Sequence, residues 1–156
     1  MSKARAQEQP SIFNRKARYE YELMDEYEAG IILTGTEVKS LRAGKANIQD
    51  AFAIEKDEEI WLHNLHIAEY HGGNKFNHVP KRPRKLLLKK KEINKLIGLL
   101  QTKGLTLIPL CLFFNDRGLA KLKMAVGRGK KAHDKRDTEK QRDWDREKGR
   151  LLKNDV

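Results

Sequence analysis

Hydrophobic and polar positions alternate with a period of two in the first half of the chain. The alternation runs through residues 19–23 and resumes over 27–33, and Asp25-Glu26 is placed as a turn between two strands. Two more strands are predicted at 51–55 and 60–65, joined by the acidic turn 57–59. Because this period puts alternate side chains on one face, the strands are expected to be half buried.

Two short helices are predicted between the strands. Thr-Gly-Thr-Glu at 34–37 is a capping-box pattern that begins a helix, and Gly44 is placed to end it after about two turns. Apolar residues at helical spacing between 93 and 100 mark a second helix, which Gly104 would end. The Gly- and Pro-containing segment 70–84 is predicted to be a loop.

The body ends in a second strand pair. Residues 105–114 are predicted to form a buried strand and 119–126 a returning strand in which Leu122, Met124 and Val126 alternate with polar or small residues. Many strands with few helices predict a mostly β fold, a small closed antiparallel barrel of the oligonucleotide-binding (OB) type.

The chain divides into three regions by composition. Residues 1–13 are predicted to be a flexible N-terminal arm, 14–126 the barrel, and 127–156 a basic C-terminal tail. The tail holds eleven Lys or Arg and seven Asp or Glu but few large apolar residues. Since a helix normally gains its stability by packing an apolar stripe, we expect this tail to be disordered when free and to fold against a polyanion. A charged tail without any role is the alternative.

The basic residues are segregated within a chain of formal charge +11. Residues 1–18 carry five basic and one acidic side chain, whereas 19–80 carry five basic and twelve acidic ones. The short segment 81–91 has seven basic residues and no acid. Such segregation predicts a positive surface for phosphate.

Other classes of protein are less well supported. Met1 to Ser11 contains no apolar core, so no signal peptide is expected, and no apolar run is long enough to predict a membrane span. The single cysteine, Cys111, is expected to be a reduced core thiol of a cytoplasmic protein. The histidines lack metal-ligand spacing and the carboxylates are scattered, so we expect no metal, no cofactor and no enzymatic activity.

Five segments together resemble one known family. They are NRKARYEYE (14–22), EAGIILTGTEVKSLRAGKANIQDAFA (28–53), FNHVPKRPRKLLL (76–88), GLTLIPL (104–110) and GKKAHDKRDTEKQRDW (129–144). In order and spacing they resemble the small protein B (SmpB) family, the SsrA-binding proteins of bacterial trans-translation. The resemblance covers the chain from Asn14 to about Leu152.

The resemblance implies an OB-type barrel that grips the tRNA-like domain of transfer-messenger RNA (tmRNA). The residues at matching positions are Asn14, Arg15, Glu28, Ala29, Gly30, Glu37, Lys39, Ser40, Arg42, Lys45, Arg84, Lys85 and Leu87. Arg84 and Lys85 are expected to contact phosphate. Glu28 would accept hydrogen bonds from base or ribose, or order a neighbouring cation. Glu37 would contact RNA or only close the capping box.

The resemblance also implies a role for the tail on stalled ribosomes. There it would become a helix over about 137–152, begin near the decoding centre of the small subunit and enter the vacant mRNA channel. The residues concerned are Lys130, Lys131, His133, Asp134, Lys135, Arg136, Lys140, Arg142, Trp144, Leu151 and Leu152. The competing hypothesis is a general ribosome-associated translation or assembly factor with the same barrel.

Some positions depart from the family pattern. Tyr19 stands where many relatives carry histidine, which keeps a stacking surface without a titratable ring. Gly127-Arg128-Gly129 is expected to loosen the exit from the last strand and to let the backbone approach phosphate.

Overall fold

The computed structural model describes residues 10–72, 76–130 and 132–154, and within them nine strands and four helices. The strands are β1 (Ile12–Phe13), β2 (Tyr21–Ile31), β3 (Ala46–Asn47), β4 (Phe52–Lys56), β5 (Glu59–His63), β6 (His66–Ile67), β7 (Arg84–Leu87), β8 (Leu105–Phe114) and β9 (Ala120–Gly129). The helices are α1 (Ala17–Glu20), α2 (Gly35–Arg42), α3 (Lys90–Leu100) and α4 (Ala132–Asn154). Most of the predicted arm and Lys131 lie outside the described residues.

Six antiparallel strands form a ring. The order is β8-β4-β5-β7-β2-β9, and β9 pairs again with β8, which closes the sheet. Strand β1 pairs with Cys111 and Leu112 on the same edge of β8 that β4 uses at Leu107, and β3 and β6 form a separate two-stranded ribbon. The predicted mostly β, closed antiparallel architecture is therefore confirmed. Closure leaves few unpaired strand edges within the body.

The core lies inside this ring. Alternate strand residues point inward, as the period of two predicted, and Leu62, Leu86, Leu107 and Leu122 are fully buried. Burying one such side chain contributes about 1.5–3 kcal/mol. The helices α2 and α3 add Leu41, Ile93 and Leu96 to the same core.

The local signals for both predicted helices are confirmed. The Thr34 hydroxyl accepts from the Glu37 N–H, and the Glu37 carboxylate accepts from the Thr34 N–H at 2.8 Å, which is a complete capping box. Gly44 follows α2 with φ +72°, and Gly104 follows α3 with φ +87°. Both angles favour glycine, which explains why the helices end near these positions.

The prediction of two strands separated by a turn at Asp25-Glu26 is wrong. Strand β2 continues through this segment for eleven residues, and the register against β9 shifts by one between Leu23 and Glu26. The shift is a β-bulge, in which two residues face one residue of the partner strand. Tyr19 and Glu20, where the alternation predicted a strand, belong instead to α1.

Strand pairing extends past both predicted boundaries of the barrel. Ile12 and Phe13 pair with Leu112 and Cys111, so the paired body begins inside the predicted arm. At the other end, β9 continues to Gly129 and pairs with β2 and with β8 beyond Val126. The segment 127–129 is consequently part of the barrel wall.

Gly127 is needed for packing in this wall. A Cβ atom at Gly127 would lie 2.6 Å from Ile108 Cδ1 and 3.3 Å from Tyr21 Cβ. The expected loosening of the strand exit is therefore wrong at Gly127, where the missing side chain lets β2 and β8 approach closely.

Candidate nucleic-acid interface

Strands β2 and β7 bring several predicted RNA contacts together. Gly30 pairs with Leu87, and a Cβ atom at Gly30 would lie 3.2 Å from Leu87 Cβ, so the leucine covers the glycine. Leu87 is 52% exposed although it is apolar. Lys85, two residues earlier, also points outward, with Nζ 3.7 Å from Glu59 Oε1. Ala29 points inward and is buried, so its side chain cannot contact RNA directly.

Asn14 and Arg15, which directly follow the predicted arm, lie beside β8 at another part of the ring. The Asn14 N–H donates to Leu110 O at 2.8 Å, and its side-chain amide donates to Pro109 O at 2.9 Å. Among the described atoms, its buried Oδ1 has no hydrogen-bond partner. Asn14, Arg15 and Cys111 line a cavity of about 410 Å³ together with Lys123.

Cys111 is not a core residue, contrary to the expectation, because it lies on the outer side of β8 and lines this cavity. It is half buried, and burial raises the pKa of the thiol above its usual value of 9.0, although Lys123 opposes this effect. A thiol with a raised pKa is a poor nucleophile near neutral pH.

The outward face of β2 connects these two areas. Glu26 and Glu28 are exposed between the arm and Gly30, because Tyr27 and Ala29 point inward. Glu26 lines the arm cavity, and Gly30 meets Leu87, at a spacing of roughly 13 Å along the strand. We call the row formed by Arg15, Glu26, Glu28, Gly30 and Leu87 the β2 strip.

Lys123 on β9 lies beside the middle of the β2 strip. It pairs with Glu28 across the strands, and its Nζ lies 3.1 Å from Glu26 Oε2. Glu28 is therefore beside a cation, as one of its two expected roles requires. Lys123 was not a predicted site residue, although its outward position in the alternation of 120–126 was the available signal.

The exposed cations of α2 and the following turn lie beyond the C-terminal end of β2. Lys39 Nζ is 5.4 Å from the centroid of the Tyr70 ring, and the Arg42 guanidinium is 5.9 Å from that of Phe114. Lys45 is exposed as well. Aromatic rings hold both cations near the surface and leave their charge accessible to phosphate. Ser40 is 1% exposed and instead faces the interior.

Glu37 and Arg84 form a buried ion pair, which contradicts the expected phosphate contact of Arg84 and agrees with the capping-box alternative for Glu37. Both side chains are 0% exposed. The Arg84 Nε–H donates to Glu37 Oε2, while its two terminal nitrogens donate to Leu65 O at 2.5 Å and Pro80 O at 3.0 Å. Arg82 binds the other carboxylate oxygen at 2.6 Å.

This triad of Glu37, Arg82 and Arg84 joins α2 to β7 and to the residues just before it. Burial raises the pKa of Glu37, but the Thr34 N–H, Arg82 and Arg84 outweigh it, so its pKa lies below its usual value of 4.5. Burial lowers the pKa of Arg84, which Glu37 opposes, and the guanidinium remains charged at neutral pH. Glu37 thus closes the capping box and orders two arginines. Sequence reasoning missed Arg82 because its partner lies 45 positions away.

The tail continues from β9 after a connection of only two residues. Lys130 donates its N–H to Glu20 O at 2.9 Å and its Nζ to Arg18 O at 2.8 Å, which ties the connection to α1. Tyr19 on α1 contacts α4 twice. Its hydroxyl donates to Glu139 Oε1 at 2.9 Å, and the Arg142 guanidinium lies 5.7 Å from its ring centroid.

Helix α4 contains the predicted helical part of the tail and begins earlier, at Ala132. Arg136, Lys140, Arg142 and Trp144 are exposed, and Lys148 Nζ lies 5.5 Å from the Trp144 ring centroid. His133, Asp134, Lys135, Leu151 and Leu152 belong to the helix, but their side chains are outside the described part. That the free tail is disordered stays a prediction.

Neither a metal-ligand cluster nor a membrane-spanning helix occurs among the described residues. Within these residues, no group of three or more His, Cys, Asp or Glu side chains is arranged to hold a metal ion. None of the described helices is long and apolar enough to cross a membrane.

Comparison with known proteins identifies the family. The family model described as SmpB protein matches residues 11–154. An SsrA-binding protein of Wolbachia sp. subsp. Drosophila simulans is 61% identical over 143 residues, which cover 92% of this chain and 96% of that protein. An SsrA-binding protein of Bradyrhizobium diazoefficiens is 64% identical over 140 residues, 90% of this chain and 89% of that protein.

A solved structure agrees with this result. A chain in the structure described as "tmRNA-SmpB: a journey to the center of the bacterial ribosome" is 53% identical, with a TM-score of 0.67. The similarity covers 79% of this chain and 86% of that one. The ring of strands, the family model and these relatives agree, and the chain belongs to the SmpB family.

Proposed function

We propose that this chain binds the tRNA-like domain of tmRNA and delivers it to stalled ribosomes for trans-translation. The relatives above are SsrA-binding proteins, and the similar solved chain is described with tmRNA and the bacterial ribosome. Acting there, the chain would work in the cytoplasm, as an RNA-binding adaptor without catalytic chemistry of its own.

The β2 strip is the observation that carries this proposal. It offers the exposed Arg15, a carboxylate beside Lys123, and the exposed Leu87 over Gly30. The cations of α2 lie beyond one end of it. Cations supply affinity for phosphate, while Glu28 and the apolar contact add shape and hydrogen-bond selectivity. Such a combination suits a folded RNA better than a nonspecific polyanion.

Four of the thirteen residues have a different role in this proposal. Ala29, Glu37, Ser40 and Arg84 are at most 1% exposed, so they shape and hold the interface from below. The exposed members make the contacts, namely Arg15, Glu28, Lys39, Arg42, Lys45 and Leu87, together with the partly exposed Asn14, Gly30 and Lys85.

For the tail we propose the second part of the function, entry into a vacant mRNA channel. Helix α4 has 23 residues and would be about 34 Å long at 1.5 Å per residue. Its described side chains are mainly exposed, and its cations are available for RNA phosphate. A channel that already holds message would exclude such a helix by sterics alone.

The RNA-binding half is tested by removing two exposed cations. Lys39→Gln with Arg42→Gln should weaken tmRNA binding and flatten the slope of log affinity against log salt by roughly 1.5–2 units. The matched control is Lys91→Gln with Lys95→Gln, which removes the same charge from exposed positions on α3. Equal salt slopes for both variants would remove α2 from the interface.

Copurifying RNA separates this proposal from the general ribosome factor. RNA bound to the intact chain at moderate salt is sequenced, and tmRNA should dominate. A broad mixture of ribosomal RNA fragments would support the alternative.

The tail half is tested by truncation after Lys130, because β9 extends to Gly129 and Lys130 is tied to α1. The shortened chain should stay folded and bind the isolated tRNA-like domain, with a small loss because nine cations and seven anions are removed. Peptide tagging on ribosomes without downstream message should be lost. Normal tagging would contradict the proposed role of the tail. Complete loss of RNA binding would contradict the assignment of RNA binding to the barrel.

A further inference from the structure

The hairpin of β4 and β5 presents an apolar surface on the outside of the barrel. Phe52 faces His63 across the strands, with ring centroids 5.7 Å apart and ring planes at 11°, and Ile54 faces Trp61. Phe52 and Ile54 are each 39% exposed. We call these four residues the hairpin face. They point outward because the intervening positions on both strands fill the core.

A rim of carboxylates borders the hairpin face. Residues 55–59 hold four acidic side chains and one lysine, a net charge of −3 within a chain of +11. Asp57 and Glu58 have φ of +52° and +62°, and the Glu58 N–H donates to Glu55 Oε1 at 3.0 Å, so this turn is internally held. A cavity of about 350 Å³ beside it is lined by acidic residues 57–59, by Lys85 and Lys90, and by Leu87, Leu88, Ile93 and Asn94.

This charge decides which class of partner fits. Stacked aromatic residues that bind single-stranded RNA are accompanied by cations along the backbone path. Here the three carboxylates of residues 57–59 outnumber the two lysines that line the same cavity, and one of these, Lys85, is already paired with Glu59. Phosphate would be repelled, whereas Lys and Arg side chains would be attracted to the rim.

We infer that the hairpin face binds a cationic protein segment that also carries apolar side chains. The apolar side chains cover Ile54, Phe52 and Trp61, and the cations reach the carboxylates of the turn. Exposed aromatic and aliphatic patches with a charged rim are typical of protein interfaces. This interaction needs neither tmRNA nor the tail, so it goes beyond the proposed function.

Trp61 reports directly on this surface. In the full chain with Trp144→Phe, Trp61 is the remaining tryptophan, and its emission is followed during titration at low salt. Three probes are compared: a ten-residue peptide of lysine and glycine with two leucines, the same peptide with glutamate for lysine, and a ten-nucleotide oligouridylate. We expect only the cationic peptide to change the emission at micromolar to millimolar concentration.

Two variants test the charge contribution. Asp57→Asn with Glu58→Asn removes two carboxylates, and asparagine tolerates positive φ, so the turn is retained. The dissociation constant of the cationic peptide should rise roughly tenfold at low salt. The control, Asp143→Asn with Asp145→Asn, makes the same charge change on α4 and should leave it unchanged.

Ile54→Thr keeps a strand-forming residue but reduces the apolar surface. This variant should also weaken binding of the cationic peptide. Stronger binding of oligouridylate, or equal binding in both charge variants, overturns the inference. No response of Trp61 to the cationic peptide overturns it as well. Each of these results is independent of tmRNA binding, which the copurified RNA reports separately.

Discussion

Replacing Arg84 by methionine removes a buried cation that binds Glu37 of α2 and two loop carbonyls. The variant leaves Leu65 O and Pro80 O without their arginine donors and leaves Glu37 with Arg82 as its remaining guanidinium partner. Removing one partner of a buried ion pair typically costs 3–5 kcal/mol, because a desolvated charge is left behind. Since Arg82 still binds Glu37, we expect about 3 kcal/mol.

Urea unfolding followed by circular dichroism measures this cost, with Lys85→Met as the matched control. Lys85 is the adjacent residue, but its ion pair is 3.7 Å long and both side chains are more than a third exposed. A partly exposed pair contributes about 0–1 kcal/mol, so the control should be nearly as stable as the parent chain. Folded Arg84→Met should keep the salt slope of tmRNA binding, whereas Lys85→Met should flatten it.

The opposite pattern would refute the reasoning. If Arg84→Met loses less than about 1 kcal/mol while its RNA affinity and salt slope fall, then Arg84 contacts phosphate and its burial is wrong. A stability loss of the expected size with an unchanged salt slope supports its role as a structural cation.

Acid should weaken the same triad through Glu37. Its pKa in the folded chain lies below the ordinary 4.5, so its stabilising contribution is complete above 4.5 and is lost as the pH falls through the folded value. The free energy of unfolding should therefore decrease more steeply with acid in the parent chain than in Glu37→Gln. Equal slopes in urea unfolding between pH 5 and 3 would exclude this contribution.

Three other predictions follow from local contacts. Gly127→Ala should destabilise the barrel by about 1–3 kcal/mol in thermal unfolding, because its Cβ meets Ile108, whereas Gly129→Ala, with nothing within 4 Å, should not. Tyr19→Phe removes the hydrogen bond to Glu139 and should increase amide hydrogen exchange in α4; unchanged exchange would mean that this bond does not hold the helix. Because burial raises the pKa of Cys111, its alkylation by iodoacetamide at pH 8 should be much slower than that of free cysteine, and an equal rate would contradict its shielded position.

The sequence predicted the elements that depend on local chemistry. The capping box at 34–37, the glycines after both helices and the turn at 57–58 depend on neighbouring residues alone. Closure of the sheet was also predictable in outline, because many amphipathic strands need a shared interior. Composition alone predicted only a positive surface for phosphate, and the family resemblance was needed to predict a particular RNA partner.

The errors came from partners far apart in sequence. Asp25 and Glu26 suit a turn or a bulge, and only the pairing of β2 with β9 distinguishes these two. Gly127 was predicted to lie where the chain leaves the barrel, because the residues next to it in sequence do not indicate its contact with Ile108. Arg84 carried a signal that was available, since the alternation that buries Leu86 also turns position 84 inward.

Because the connection between β9 and α4 is short, its length affects how α4 is rotated about its axis relative to the barrel. Only two residues separate Gly129 from Ala132, and Lys130 is tied by its backbone to α1. Successive helix residues turn by about 100°, so one residue inserted here would rotate every side chain of α4 relative to the barrel by that angle. The same insertion would advance the helix by about 1.5 Å. When α4 is formed, the hydrogen bonds of Lys130 and Tyr19 therefore set the direction in which Trp144 and the described cations of the tail face.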